Sequence, residues 1–124
     1  MKTWAGLSAI LTLLLVGGSS TLAQQQPQVA GKWAGVLTSG PYTNQLEMEL
    51  EQKEEVITGT HSITHAIGGR TTSGWVKGTL KGKKVTLNTE RAYFDLRLSD
   101  DGKSMKGDGQ SSVYFQVELK RKEE

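Results

Sequence analysis

The stretch NQLEMELEQK, Asn44 to Lys53, carries the clearest pattern in the chain. Its leucine, methionine and glutamate content favours a helix by intrinsic propensity. The apolar residues Leu46, Met48 and Leu50 are spaced by two, however, and a helix would turn Met48 away from the other two. A strand would point all three to one side and the glutamates to the other. The pattern therefore predicts a strand that is buried on one face.

The same spacing by two recurs along the chain, in Phe94, Leu96 and Leu98 and again from Val113 to Leu119. Turn signals rich in glycine, proline, aspartate and lysine separate these runs. No segment of ten or more residues carries a helical stripe. Eight strands are predicted, near residues 30–38, 45–52, 56–63, 72–80, 84–89, 92–98, 104–108 and 112–120.

Eight short antiparallel strands predict an all-β fold, and an open sheet would expose two unpaired edges. Closure removes both edges, so we expect a closed eight-stranded up-and-down β-barrel, a meander of hairpins. Glycines inside the predicted strands, such as Gly35, Gly59 and Gly78, would permit the sharp bends of a barrel. A two-layer sandwich is the alternative, but its crossings usually need longer connections than most of those here.

The N-terminus is typical of a secretory signal peptide. Lys2 precedes an apolar run from Leu7 to Val16, and Thr21-Leu22-Ala23 forms a small-x-small cleavage site before Gln24. The run is shorter than the roughly 20 residues that cross a bilayer. We expect residues 1–23 to be removed, 24–28 to be a disordered lead-in, 29–122 to be one barrel domain, and the protein to be extracellular or periplasmic.

Residues 24–124 contain 14 Lys and Arg against 13 Asp and Glu, and the chain has no cysteine. This charge balance gives no reason to expect nucleic acid as a partner. No disulfide is available, so the domain must fold on its apolar core alone; a domain of this size buries about 65% of its unfolded surface. Whether it is a monomer or a dimer is left open.

Two motifs resemble those of the calycin barrels, the lipocalins and avidins. Gly31-Lys32-Trp33 is a G-x-W on the first strand, Arg121 follows the last, and Thr58-Gly59-Thr60-His61 is similar to a run on the third avidin strand. The resemblance implies that Trp33 packs beneath Arg121. It also implies loss of biotin binding, because Gly35 stands where avidins carry an asparagine, and His61 where they carry a tyrosine.

The chain's two histidines, His61 and His65, are the first candidates for chemistry. On a strand they would share a face but lie about 13 Å apart, too far to bind one metal ion. The carboxylates Glu47, Glu49, Glu51 and Asp95 fall at outward positions, where they are typical of a solvated face. No nucleophile elbow or glycine-rich phosphate loop occurs. We therefore expect no enzyme activity, no catalytic residue, no metal site and no cofactor.

The longest predicted connection, Thr64 to Thr71, places Arg70 beside two glycines, where it could hold an anionic group. Trp33 and Trp75 could line a cavity. The leading hypothesis is a non-enzymatic binding protein for a small apolar or amphipathic ligand, with ligand-binding residues Trp33, His61, His65, Arg70 and Trp75. The alternative is a protein-interaction or inhibitor module that uses the outer face or loops.

Overall fold

The computed structural model describes residues 27–122, which form eight antiparallel strands. They are β1 (Gly31–Ser39), β2 (Tyr42–Lys53), β3 (Val56–Thr64), β4 (Thr71–Lys81), β5 (Lys84–Asn88), β6 (Tyr93–Leu98), β7 (Ser104–Gln110) and β8 (Tyr114–Arg121). Each strand pairs with the next, and β8 pairs back with β1. The predicted closed up-and-down barrel is confirmed, with strand ends displaced by up to three residues. The expected signal peptide lies outside the described residues.

The strands are staggered as they close. Paired residues can be followed once around the sheet, from Lys53 through the seven other strands and back to Thr43 on the same strand β2. One circuit therefore shifts the register by 10 residues. Eight strands with this stagger tilt by about 40° from the barrel axis, which leaves an interior narrow enough for side chains to fill.

Apolar side chains fill that interior. The inward positions follow the alternation read from the sequence, and Leu46, Met48 and Leu50 are at most 3% exposed. The buried set is Val29, Trp33, Leu37, Leu46, Met48, Leu50, Ile57, Val76, Leu80, Val85, Leu87, Phe94, Leu96, Leu98, Met105, Phe115, Val117 and Leu119. No polar or charged residue among residues 27–122 is buried.

The barrel has two different ends. The closed end carries the β2–β3, β4–β5 and β6–β7 turns, and the start of β1 crosses it. There Arg121 stacks on the fully buried Trp33, with the guanidinium carbon 4.4 Å from the ring centroid. Arg121 Nη1 donates to Ala30 O (2.5 Å) and Nη2 to Gln28 O (2.7 Å). One planar cation thus ties the start of the barrel to its end.

The residues that precede β1 also contact the barrel at this end. Pro27 and Gln28 are the described part of the expected lead-in, and the Pro27 carbonyl accepts a hydrogen bond from Gln52 Nε2 (3.3 Å). Gln52 Oε1 accepts from the backbone N of Val29 (2.8 Å). The other end, the open end, carries the β1–β2 turn and the β3–β4, β5–β6 and β7–β8 loops.

Four inward glycines allow neighbouring strands to approach closely. A Cβ atom on Gly35, Gly59, Gly78 or Gly107 would lie 1.8 to 2.1 Å from a carbonyl oxygen of the adjacent strand. No side chain fits at such a distance. These glycines are therefore required where the sheet bends to close.

We expect Gly78→Ala to destabilise the barrel by about 1–3 kcal/mol, because its Cβ would meet Thr86 O at 1.9 Å. Gly74→Ala, on the same strand, is the matched control, since its Cβ would meet only the movable ring of His61, at 3.1 Å. Urea unfolding measures both midpoints. Equal midpoints for the two variants would contradict this account of the glycines.

Arg121→Ala removes the ring contact and the hydrogen bonds to the start of β1, so we expect a loss of about 2–4 kcal/mol. Arg121→Lys should recover less than half of it, because an ammonium cannot span the same carbonyls in one plane. Arg97→Ala is the control on the exposed outer face. Thermal unfolding followed by tryptophan fluorescence checks the order; a wild-type midpoint for Arg121→Ala would refute the role of this contact.

Candidate functional site at the open end

The five residues predicted to bind a ligand are divided between the two ends of the barrel. Trp33 lies at the closed end, where its exposure is zero and Nε1 donates to Val29 O (2.8 Å). The other four, His61, His65, Arg70 and Trp75, all lie on the β3–β4 hairpin. Of these four, His65 and Arg70 lie at the open end and Trp75 lies on the outer face. His61 shares one row of paired residues with Trp33, because Met48 of β2 pairs with both.

His61 is on the inward side of β3, opposite Met48 of β2 and Gly74 of β4. Its ring lies against the bare backbone of Gly74, and Nδ1 is shielded from solvent without a hydrogen-bond partner. Burial lowers the pKa of His61 below its ordinary value of 6.5, against smaller opposing effects of the Trp75 and Gly74 backbone. The imidazole is thus held mainly in its neutral form at neutral pH.

His65 and Arg70 close the loop between β3 and β4. The backbone N of His65 donates to Arg70 O (2.8 Å), and Gly69 N donates to His65 O (3.2 Å). Asn44 Oδ1, from β2, accepts from Ala66 N (2.8 Å) and fixes the loop to the rim. The Arg70 side chain is exposed. The predicted pair of histidines therefore separates, with His61 inside the barrel and His65 beyond the strand.

Trp75 lies on the outer face of β4, not on the inner wall. It is 45% exposed, and the ammonium of Lys77 lies 5.3 Å from its ring centroid. Its neighbour Val76 takes the inward position instead and is 1% exposed. Trp75 can contact a partner on the outside of the sheet but cannot line the interior.

Sequence reasoning missed a set of exposed apolar and aromatic side chains around the open end. This open-end patch consists of Tyr42, Ile67, Tyr93, Val113 and Tyr114, which are 49% to 69% exposed. All five lie in loops or at strand starts beside them. Their position next to predicted turns could have indicated that they are exposed, because an aromatic residue at the start of a strand lies outside the core.

Polar groups accompany this patch on the outer face. The register aligns Asn88, Tyr93, Gln110 and Tyr114 across β5 to β8 in one row. A shallow, open depression of about 530 Å³ is lined by Asn88, Arg91, Ala92, Tyr93, Gln110 and Ser111. Tyr114 Oη donates to Asp108 Oδ2 (2.9 Å), which orients one ring of the row.

The hairpin that carries the four candidates is longer than its neighbour. β4 has eleven residues, but its pairing with β5 begins at Lys77 and ends at Lys81. The preceding segment, Thr71–Val76, pairs with β3 alone. We call this segment the β4 edge. It leaves a notch in the barrel wall at the open end, between β4 and the β5–β6 turn.

The carboxylates considered in the sequence analysis lie on the outer surface of the barrel. Between residues 27 and 122, no three His, Asp or Glu side chains lie close enough to share a metal ion. The outward carboxylates Glu47, Glu49, Glu51 and Asp95 are exposed, and Glu47 faces Lys122 at 3.8 Å. No helix in this part of the chain is long and apolar enough to cross a bilayer.

Comparisons with protein-family models, curated proteins and solved structures return no match for this chain.

The lowered pKa of His61 predicts a stability that depends on pH. The unfolded chain takes up a proton on this histidine near pH 6.5, whereas the folded chain does so only at lower pH. The contribution of His61 to the free energy of unfolding is therefore fully present above pH 6.5, and it decreases as the pH falls below that value. His61→Gln should flatten this part of the profile, and His65→Gln should keep it. Urea unfolding between pH 7.5 and 5 provides the measurement; the same slope in His61→Gln would contradict the assignment.

Proposed function

We propose that this chain is a secreted, non-enzymatic binding protein of calycin-like type, which recognises a protein partner through the open end of its barrel. The observation that carries the proposal is where the apolar side chains lie. Leu, Val, Phe and Trp side chains fill the interior, while five large apolar or aromatic residues remain exposed around one rim. Exposed aromatic side chains grouped in this way are typical of interaction surfaces.

Calycin-like ancestry is supported by the closed end. The G-x-W tryptophan, Trp33, is fully buried beneath Arg121, at 4.4 Å, as the sequence resemblance implies. The eight-stranded meander agrees with that ancestry. The proposal of secretion rests on the N-terminal sequence, with its charged, apolar and small-residue regions in the order of a signal peptide.

Binding without catalysis is supported by the surroundings of the polar groups. Between residues 27 and 122, no buried carboxylate or hydroxyl lies beside a histidine. The ion pair of Lys83 with Asp100 is between exposed side chains in closed-end turns, at the opposite end from the open-end patch. The open end therefore offers surface, shape and charge for binding, without a pair of groups suited to proton transfer.

A small amphipathic ligand at the mouth of the barrel is the second candidate. It is favoured by His61, whose Nδ1 has no partner, and by Gly74, which places no side chain of its own over the ring. Partly buried Ile63 packs against the core beside them. Such a ligand would be reached from the side that bears His65 and Arg70.

The two candidate functions predict complexes of different mass. When the mature chain, residues 24–124, is purified from its own secreting host, we expect native mass spectrometry to detect it in complex with a protein partner. Serine substitution of Tyr42, Tyr93 and Tyr114 together should abolish that complex. Because these side chains are about half buried, thermal unfolding first checks that the triple variant is folded. Val56→Ser is the control, since Val56 is 56% exposed at the closed end.

A mass excess of a few hundred daltons, lost on denaturation, would instead establish the small-ligand candidate. If the triple variant forms as much of the protein complex as the wild-type chain does, the assignment of partner binding to the open-end patch is wrong.

A further inference from the structure

We propose that the β4 edge, Thr71–Val76, binds an extended acidic segment of a partner protein, which adds to the sheet as one more strand. This inference rests on the proposed role of the barrel as a protein-binding module and names the partner's chemistry. Strand addition supplies affinity through main-chain hydrogen bonds and specificity through alternate side chains.

Among the eight described strands, the β4 edge has no partner on the side away from β3. Leu80 N donates to Glu55 O (2.9 Å), and His65 N donates to Arg70 O (2.8 Å). Even-numbered residues of β4 therefore bond to β3, and odd-numbered residues direct N–H and C=O groups to the other side. Within residues 27–122, no backbone bond to another strand satisfies Thr71, Ser73 or Trp75 on that side.

The edge lacks the features that normally prevent pairing with another chain. The segment TTSGWV contains no charged residue and no proline, and it is straight enough to pair with β3 throughout. Thr72, on the inward side, and Ser73, on the outward side, are both exposed. Long unprotected edges of this kind readily accept another strand.

The β5–β6 turn does not continue the ladder along β4. The β5–β6 turn is closed by its own bonds, from Thr89 N to Ala92 O (2.8 Å) and from Ala92 N to Thr89 Oγ1 (3.1 Å). It makes no backbone bond to β4. A strand of about five residues can therefore continue the line of β5 beyond Asn88.

The charges around the notch select an acidic partner. Arg70 precedes the edge, Lys77 follows it and Arg91 lies in the β5–β6 turn, and all three side chains are exposed. Among residues 27–122, none of the three has a carboxylate within 4 Å, although Glu90 lies next to Arg91 in sequence. A second copy of this chain fits less well, because antiparallel pairing centred near Ser73 would bring Arg70 and Lys77 of the two copies together.

The faces of the edge define the added strand further. Its residue opposite Gly74 would point into the mouth of the barrel, where β4 contributes no side chain. Its residue opposite Trp75 would lie on the outside, beside a ring that is 45% exposed. The best-fitting segment thus alternates an apolar or aromatic outer residue with a polar inner one, and carries Asp or Glu at its ends.

A library of random peptides displayed on phage, selected on the immobilised mature chain, supplies the probe. We expect enrichment of acidic, β-branched sequences without proline at their centres. Hydrogen exchange of the wild-type chain should show fast exchange at the Ser73 and Trp75 amides, slowed by the selected peptide, while the Thr72 and Gly74 amides are protected throughout. A selection that yields no peptide protecting Ser73 and Trp75 would overturn the proposal.

Ser73→Pro tests the edge directly, because it removes an N–H that faces the notch and leaves the bonds to β3 in place. Ser73→Ala is the matched control, which loses the hydroxyl and keeps the amide. We expect the selected peptide to bind Ser73→Pro about tenfold more weakly and Ser73→Ala with wild-type affinity. Equal affinities for the two variants would refute strand addition at this position.

Charge and self-association are tested in the same titrations. Arg70→Gln and Arg91→Gln should each weaken peptide binding and its dependence on salt, whereas Lys53→Gln, at the closed end, should not. A dimer that protects the Ser73 and Trp75 amides without peptide would overturn the proposal in favour of a second copy. If the host partner still binds Ser73→Pro but not the triple tyrosine variant, the proposed function stands and strand addition is wrong.

Discussion

The structure depends on one constraint: a staggered eight-stranded sheet must place an apolar or absent side chain at every buried inward position. With the register shifted by 10 residues per circuit, the strands tilt by about 40° from the barrel axis, and neighbouring backbones approach closely where the sheet bends. Gly35, Gly59, Gly78 and Gly107 occupy these points, where a carbonyl oxygen fills the space of a side chain. The buried side chains at the other inward positions are all apolar. Closure of the sheet and formation of the core therefore depend on each other. In an open sheet the close backbone contacts at the glycines would not form and the apolar side chains would not be buried.

The same constraint is relaxed at the open end. The first four strands are nine to twelve residues long, and the last four are five to eight. Because β4 has eleven residues and β5 only five, β4 cannot pair with β5 along its whole length, and Thr71–Val76 remains outside that ladder. Arg121 and Trp33 secure the closed end, where the chain enters and leaves the barrel. The contact of Arg121 with Trp33 thus stabilises the closed end, and the open end carries the longest loop and the β4 edge, which pairs with β3 alone.

Most of the buried core residues could be predicted from the alternation in the sequence. Leu46, Met48 and Leu50 showed that every second residue of the strand is apolar. The same alternation then predicted which residues of β6 and β8 point inward. Trp75 shows where this reading failed. The inward positions of β4 are Thr72, Gly74, Val76, Gly78 and Leu80, and the threonine and two glycines conceal the alternation that would have placed Trp75 outside. His61 was similarly difficult, because Gly59 beside it on the inward side of β3 carries no apolar signal.

The notch was beyond prediction for a different reason. Each strand can be recognised from its own residues, but pairing length depends on where the neighbouring strand ends. The predicted span of β5, residues 84–89, ended one residue from its observed limit, and nothing in the segment TTSGWV distinguishes a paired backbone from a free one. The uncharged composition of that segment is nevertheless informative once its position is known. Edge strands that face only solvent usually carry lysine or proline, and here the positive charges stand beside the edge instead of on it. This arrangement leaves the main chain accessible while opposing self-pairing, which is the combination expected where an edge binds a different chain.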